Sequence, residues 1–175
     1  MIGGAKGRIA PLGPSSYDFR QNPMLTVVAA LIESEGKLLV CQRRRGEFFQ
    51  FLWEFPGGKR RPGERLEEAL ARELREELGA RAQIGPEVYR TRHRYRATAE
   101  MLELVFFAAS VPRGGVRNRV FERIAWRAPL SLPRLDFLPA DRKLVLKLAQ
   151  GKIRLPKFGT MGAGSVYEKP RCVVS

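Results

Sequence analysis

The sequence predicts an α/β fold, a mixed β-sheet sandwiched by helices, and three observations carry that prediction. Apolar runs rich in β-branched and aromatic residues outnumber helical patterns. One strongly helical stretch interrupts them at residues 65–78, and a second follows near residues 139–150. A sheet with helices packed against it is the layered arrangement that suits this order of elements. A chain of 175 residues with 44% hydrophobic content is long enough to bury the core of one domain. No internal repeat divides it.

Residues 1–23 are rich in Gly, Pro and Ser, lack sustained periodicity, and are expected to form a flexible or loosely docked arm. Order is expected from the apolar run Leu25-Thr26-Val27-Val28-Ala29-Ala30-Leu31-Ile32. After the polar Glu33-Ser34-Glu35-Gly36 comes Lys37-Leu38-Leu39-Val40-Cys41-Gln42-Arg43, and the pair reads as a hairpin. Residues 46–50 read as a loop, and Phe51-Leu52-Trp53-Glu54-Phe55 as a short aromatic strand stopped by Pro56 and Gly57-Gly58. Pro62, Gly63 and Glu64 lead into the central helix, and Gly79 is placed to end it. Further β-favouring stretches lie near 83–91, 99–111 and 120–127. In the last helix Leu144, Val145 and Leu148 recur at helical spacing. Residues 151–175 form a basic tail without a readable pattern, which places the domain proper at residues 24–150.

Composition excludes some classes of function and admits others. No run approaches the roughly 18 consecutive apolar residues of a membrane-spanning helix. The first twenty residues lack a continuous apolar h-region, so no secretory signal is expected. Cys41 and Cys172 are too few for a disulfide scaffold and too far apart for a metal knuckle. Two reduced thiols fit a cytoplasmic location, with no membrane involvement. Lys and Arg number 32 against 18 Asp and Glu, a net charge of +14 that attracts polyanions. An arginine-rich proteome would produce the same bias, so the charge admits a phosphate substrate, or RNA, without selecting one.

The central helix departs from ordinary amphipathic patterning. At about 100° per residue, Leu66, Leu70, Leu74 and Leu78 form one apolar stripe. Glu68 and Arg75 lie away from it, as expected. Glu73 and Glu77 instead point along its edge, with Glu76 a little further round. Three carboxylates at one border repel one another. Arg72 reaches Glu76 at i+4, a plain surface pair, but one arginine cannot neutralise three acids, and clustered oxygens suit a hard divalent cation. Ahead of the helix, Gly57-Gly58-Lys59-Arg60-Arg61-Pro62-Gly63-Glu64 joins three glycines to three basic residues. Glycines let backbone groups approach a phosphate or metal closely, and such a loop before a helix start is a known anion site. Loop and carboxylate face together describe a site for cations and phosphates.

These residues carry a resemblance. Gly58-x5-Glu64-x7-Arg72-Glu73-Leu74-x-Glu76-Glu77-x-Gly79-Ala80 resembles the Nudix box, G-x5-E-x7-R-E-U-x-E-E-x-G-U with U a bulky aliphatic residue. Only the last position departs, where Ala80 is small. The flanking pattern extends the similarity over roughly residues 24–150. The resemblance to the Nudix hydrolase superfamily implies an α/β/α sandwich with a mixed sheet and a loop–helix–loop catalytic motif. It implies Mg²⁺ or Mn²⁺ as cofactor, with Glu76 and Glu77 as principal metal ligands and Gly57 contributing its backbone carbonyl. Glu73 is then a ligand or the general base, Arg72 orients the glutamates, and Glu64 supports the loop or binds a further metal.

The segment Trp53-Glu54-Phe55-Pro56-Gly57-Gly58-Lys59 resembles the MutT-like branch, nucleoside triphosphate pyrophosphohydrolases of which some clear oxidised nucleotides from the pool. That likeness places Phe55, Gly58 and Lys59 at the substrate. Leu138-Pro139-Ala140-Asp141 matches a Pro-Ala-Asp or Pro-Ala-Asn segment that reads the base edge in that branch. An acid in the first turn of a helix would explain Asp141 equally well. Arg43 and Arg44 match positions that hold base or phosphates, and both also suit a plain basic surface. The branch often carries a further acid before a tryptophan in a later strand. Glu122 stands closer to Trp126 than that pattern, which leaves its role and the identity of the general base open.

Thr91-Arg92-His93-Arg94-Tyr95-Arg96 suits phosphates, an RNA end, or a solvated edge strand. Tyr95 weakly resembles a tyrosine of dinucleoside-polyphosphate hydrolases, and no proline stands where ADP-ribose hydrolases carry one. The sequence therefore reads as a cytoplasmic, Mg²⁺-dependent nucleoside triphosphate diphosphatase. Rivals are a hydrolase of dinucleoside polyphosphates or of capped or triphosphorylated RNA, and a nucleotide- or RNA-binding module without catalysis. A binding module has no need of Glu73, Glu76 and Glu77 together. No obligate protein partner is implied, and either a monomer or a homodimer fits.

Overall fold

The structure is a computed structural model and describes residues 24–94 and 101–158. Tyr95 and Cys172 lie outside the described residues. Strands β1 (Leu25–Ser34) and β2 (Lys37–Gln42) form the expected hairpin. Glu35 and Gly36 carry φ of 51° and 71°, the two positive values that a tight two-residue connection needs. There follow β3 (Trp53–Glu54), β4 (Gly57–Lys59), α1 (Leu66–Leu78), β5 (Gln83–Arg94), β6 (Met101–Ser110) and β7 (Arg123–Arg127). A 3-10 turn at Pro129–Arg134 precedes α2 (Arg142–Ala149).

The sheet is mixed, as expected. β1 runs parallel to β6 and antiparallel to β4, while β5 closes the far edge antiparallel to β6. β2 carries β3 and β7, both antiparallel. Alternation along the strands sends successive side chains to opposite faces. Val28, Ala30 and Ile32 of β1 join Val105, Phe107 and Ala109 of β6 beneath the α1 stripe of Leu70, Leu74 and Leu78. Ala29, Leu31, Leu104 and Phe106 face the other way, onto Leu132, Phe137, Leu144, Val145 and Leu148. The uninterrupted apolar run of β1 is thus the signature of a strand covered on both faces. Helix lies on each side of the sheet, which makes the α/β/α sandwich.

Some boundaries differ from the sequence reading, each for a local reason. Only Trp53 and Glu54 of the aromatic stretch are strand, because Phe49 and Phe51 take φ of 61° and 65° and turn the chain. Gly57-Gly58-Lys59, expected to stop a strand, is itself one: it pairs with Val27, Val28 and Ala29 across β1. β5 runs on to Arg94, β7 begins only at Arg123, and α2 begins at Arg142, with Asp141 as its N-cap. The stretch expected as a patternless tail begins docked. Ile153 and Leu155 pack on the second core, and Phe158 occupies the space that Gly85 leaves open, 2.7 Å from where a Cβ would stand. No helix among the described residues is long and apolar enough to cross a membrane.

Candidate active site

The candidate site is built where α1 lies against β4. Gly57 has φ of 147°, and a Cβ there would stand 2.1 Å from the Val28 carbonyl oxygen, so only glycine fits. Its neighbour Gly58 leaves room for the Glu73 carboxylate, whose Cδ lies 2.5 Å from where a Cβ would be. The Gly57 N–H donates to Glu77 Oε2 at 3.0 Å. Two successive glycines therefore let the acidic border of α1 rest on bare backbone. Leu70, Leu74 and Leu78 of the leucine stripe, wholly buried, with Leu66 partly buried against the same core, fix the helix in that orientation.

Arg72 organises the solvent side of this border. Its guanidinium donates to Glu64 at 2.7 and 3.0 Å, to Glu73 at 2.6 Å, to Glu76 at 3.3 Å and to the Lys59 carbonyl at 3.1 Å. Hydrogen bonds from Arg72, and then from the Arg61 N–H, hold Glu64 down at about 2. The same contacts, Glu64 first, keep Arg72 firmly charged. At the other end of α1, the Arg117 and Arg119 N–H groups donate to the carbonyls of Leu78 and Glu77, and the Arg119 guanidinium reaches the Arg75 carbonyl at 3.1 Å. The last carbonyls of the helix, those of Glu77 and Leu78, are satisfied there by a cationic loop, while the Arg75 carbonyl also accepts from the Gly79 N–H.

A cavity of about 380 Å³ opens beside α1, lined by Arg43, Glu47, Glu54, Glu73, Glu76, Glu77, Val120 and Phe121. Its inner wall is poor in counter-charge. Burial pushes the Glu77 carboxyl up to about 8, assisted by the charges of Glu54 and Glu73, against the pull of the Gly57 N–H. Burial also raises Glu54, although Arg43 donates to both its oxygens at 3.0 and 3.2 Å. Arg43 further bridges Glu47 at 3.1 Å and donates to the Phe48 carbonyl at 2.9 Å. Cys41 lies fully buried behind the wall, its thiol raised by burial and then by Glu77 and Glu54.

The structure brings together Arg72, Glu73, Glu76, Glu77, Gly57, Gly58 and Glu64, and places Arg43 on the same cavity. It separates others. Arg44 is exposed and donates to the Arg119 carbonyl at 3.0 Å. Lys59 is exposed at the end of β4, where its backbone pairs with Val27. Phe55, expected to touch substrate, is buried against Phe137 and Phe106 in the second core, with ring centroids 5.4 and 6.1 Å away. Glu122 is exposed and does not line the cavity; its N–H donates to the Gln42 carbonyl.

Asp141 is 4% exposed, and burial, then Glu54, pushes its carboxyl up to about 8 against a backbone hydrogen bond from Phe55. Sequence reasoning missed Glu47 and Glu54. Glu54 was legible as an acid between two buried aromatics, Trp53 and Phe55, since a buried charge needs a partner. Glu47 carried no such signal. Nor did the support around it: Gln42 links the Phe51 carbonyl to Arg123, whose guanidinium stacks 5.2 Å over Trp53.

Among the described residues, no three Asp, Glu, His or Cys side chains stand ready as a metal-holding group. Arg72 draws Glu73 and Glu76 to itself, and the Gly57 N–H holds Glu77. The oxygens available around the cavity are nonetheless those of a hard-cation site, five carboxylates with no sulfur or imidazole.

Comparison with known proteins places the chain. The NUDIX domain profile matches residues 22–148. A CTP pyrophosphohydrolase of Escherichia coli K12 is 35% identical over 122 residues, covering 70% of this chain and 89% of that protein. A nucleoside triphosphatase NudI of Enterobacter sp. strain 638 is 37% identical over 129 residues, covering 67% and 91%. Among solved structures, the E. coli ORF135 protein superposes with a TM-score of 0.62 at 34% identity, over 74% of this chain and 91% of that one. A MutT protein from Methanosarcina mazei, at 23% identity, shares the fold with a TM-score of 0.66, over 75% and 97%.

One prediction concerns Asp141. Its carboxyl ionises near 8 in the folded protein against 3.8 for the ordinary side chain. Between those values the folded state holds a proton that the unfolded state releases, so stability falls as pH rises from about 4 to about 8. Asp141→Asn keeps the shape without the charge. Thermal melts from pH 5 to 8 should show the wild type losing Tm relative to the variant. Parallel pH profiles would contradict the burial argument.

Proposed function

The chain belongs to the NUDIX domain family, and on that premise we propose that it hydrolyses a (deoxy)nucleoside triphosphate to the monophosphate and pyrophosphate. The observation that carries the reading is the convergence of Glu73, Glu76 and Glu77 on one cavity, seated on Gly57 and Gly58 and braced by Arg72. Similarity to a CTP pyrophosphohydrolase and to nucleoside triphosphatases supports the substrate class. Oxidised nucleoside triphosphates belong among the substrates to be tested, and the cytoplasm is the proposed site of action.

Mg²⁺ or Mn²⁺ is the cofactor we propose, held by Glu76 and Glu77 with Glu73 and the Gly57 carbonyl beside them. The raised Glu77 carboxyl supports this, because a group at about 8 amid acidic neighbours is one that a cation would draw into its charged form. When bound, such an ion activates water and neutralises charge on the bridging phosphate oxygens. The chain's own groups do the rest. Arg72 fixes the Glu73 and Glu76 carboxylates. Glu64, with its oxygens taken by Arg72 and the Arg61 N–H, is suited to supporting the loop. Arg43 offers a cation at the cavity wall for phosphate. Asp141 stands beside the Phe55 backbone and Glu54, nearly buried and outside the residues that line the cavity; its assignment to the base edge rests on the Leu138-Pro139-Ala140-Asp141 resemblance. Held protonated, it is able to donate as well as accept. Preorganised charges of this kind supply most of the catalysis in phosphoryl transfer.

The test is pyrophosphate against phosphate release with Mg²⁺ from a panel of ordinary and oxidised nucleoside triphosphates, a dinucleoside polyphosphate and a 5′-triphosphorylated RNA. Pyrophosphate release from a triphosphate is expected to lead. Glu77→Gln should lower that turnover roughly 100-fold or more, with Tm at pH 7 unchanged or higher, because glutamine matches the neutral acid. Wild-type turnover in the variant would remove the site assignment. Cleavage confined to the polyphosphate or RNA would replace the substrate.

A further inference from the structure

The face of the molecule behind α2 has a charge pattern that triphosphate hydrolysis does not use. From residue 142 to residue 158 the chain holds Arg142, Lys143, Lys147, Lys152, Arg154 and Lys157, and no acid. All six are exposed, and among the described residues none forms an ion pair. Elsewhere, Arg43, Arg72 and Arg90 each bridge two or more carboxylates. Exposed cations without an ion pair stand elsewhere too, Arg44, Arg45, Lys59 and Arg60 among them; what sets the segment behind α2 apart is the run of six with no acid between them.

Their spacing makes a stripe. Leu144, Val145 and Leu148 bury one side of α2 in the second core, which leaves Lys143 and Lys147, four residues apart, as neighbours on the outer side. Past Gly151 the chain alternates: Ile153 and Leu155 pack inward, and Lys152 and Arg154 are exposed. Lys143 also stands close enough to His93 on β5 that its charge adds to burial in lowering the imidazole. The stripe thus starts beside the sheet edge and follows α2 into the segment beyond it. The α1 carboxylates lie on the opposite layer of the sandwich.

We propose that this face, Lys143 and Lys147 continuing through Lys152 and Arg154, is a docking surface for the phosphodiester backbone of nucleic acid. A row of exposed cations without acids is the footprint of a repeating anion, and phosphate contacts need no particular base. A lipid surface fits less well. An interfacial helix inserts a broad apolar face, whereas the apolar face of α2 is already buried and only Leu146 remains, 51% exposed. A protein interface fits less well too, since lysine is depleted from the centres of such interfaces. The surface lies outside the cavity, so it serves to hold the protein on RNA or DNA rather than to supply the reacting phosphate.

Binding of the full chain to a fluorescent 20-nucleotide single-stranded RNA with a 5′-hydroxyl end, titrated by anisotropy at several salt concentrations, tests this. Two triple variants are compared, each changing the net charge by the same amount. One carries Lys143→Glu, Lys147→Glu and Arg154→Glu. The other carries Lys37→Glu, Arg81→Glu and Arg113→Glu, exposed cations away from the stripe. The stripe variant should bind about tenfold more weakly or worse, its salt slope reduced by about 2, at about 0.7 per lost phosphate contact on a single strand. The control should stay close to wild type, and hydrolysis of the best triphosphate should be unchanged in both. Glutamine substitutions at the same three positions give the same reading if charge reversal disturbs α2. Equal weakening of both variants would reduce the effect to net charge and overturn the proposal. So would wild-type binding by the stripe variant, or binding only to anionic phosphatidylglycerol vesicles and not to RNA.

Discussion

Gly57 and Gly58 let α1 pack its acidic border directly on the backbone of β4, and the candidate site follows from that contact. A Cβ at Gly57 would meet the Val28 carbonyl, and one at Gly58 would meet the Glu73 carboxylate. The antiparallel pairing of β4 with β1 fixes where these glycines stand. The buried leucines of α1 fix the rotation of the helix that faces them. Hydrophobic burial thus sets the position of three carboxylates to within a side chain's reach, although none of those carboxylates contributes to the core.

The electrostatics divide along the same line. Toward solvent, Arg72 answers Glu64, Glu73 and Glu76 with short hydrogen bonds. Toward the interior, burial pushes up Glu77, Glu54 and Asp141; the charge of Glu54 adds to Glu77 and Asp141, Glu47 adds to Glu54, and Arg43 is the cation that tempers Glu54 and Glu77. Perturbed acids gathered around one cleft are characteristic of a functional site. A protein selected for stability alone would have placed leucine or glutamine there. The strain is local, because the two cores on either side of the sheet are conventionally apolar.

Much of this was legible in the residues, and the reasons for what was not are physical. The wheel of the central helix placed Glu73 and Glu77 on the border of the leucine stripe because helical periodicity is a local property. The apolar run Leu25 to Ile32 read as the first strand of a hairpin for the same reason, while its covering on both faces depends on helices far away in the chain. Gly57-Gly58 read as a breaker, since the pairing that makes it a strand comes from β1, nearly thirty residues earlier in the chain. Phe55 reads as a substrate contact through its neighbours in sequence, whereas its ring is claimed by Phe137 and Phe106, more than fifty residues away. Glu54 and Glu47 join the cavity through Arg43, a tertiary link that no spacing rule encodes. The docked Ile153 and Leu155 show period-2 alternation, but over too few residues to stand out from a basic tail.

Gly58→Ala tests the central contact most directly. Unlike Gly57, Gly58 carries no left-handed φ, and the group its Cβ would displace is the end of a flexible side chain. The variant should therefore fold with a Tm close to wild type, while Glu73 is pushed off β4. Steady-state hydrolysis of the best triphosphate should fall at least about tenfold, mainly in kcat, as a misplaced catalytic carboxylate requires. Wild-type kcat in a well-folded Gly58→Ala protein would contradict the account, because the seating of α1 on bare backbone would then not be what positions the site.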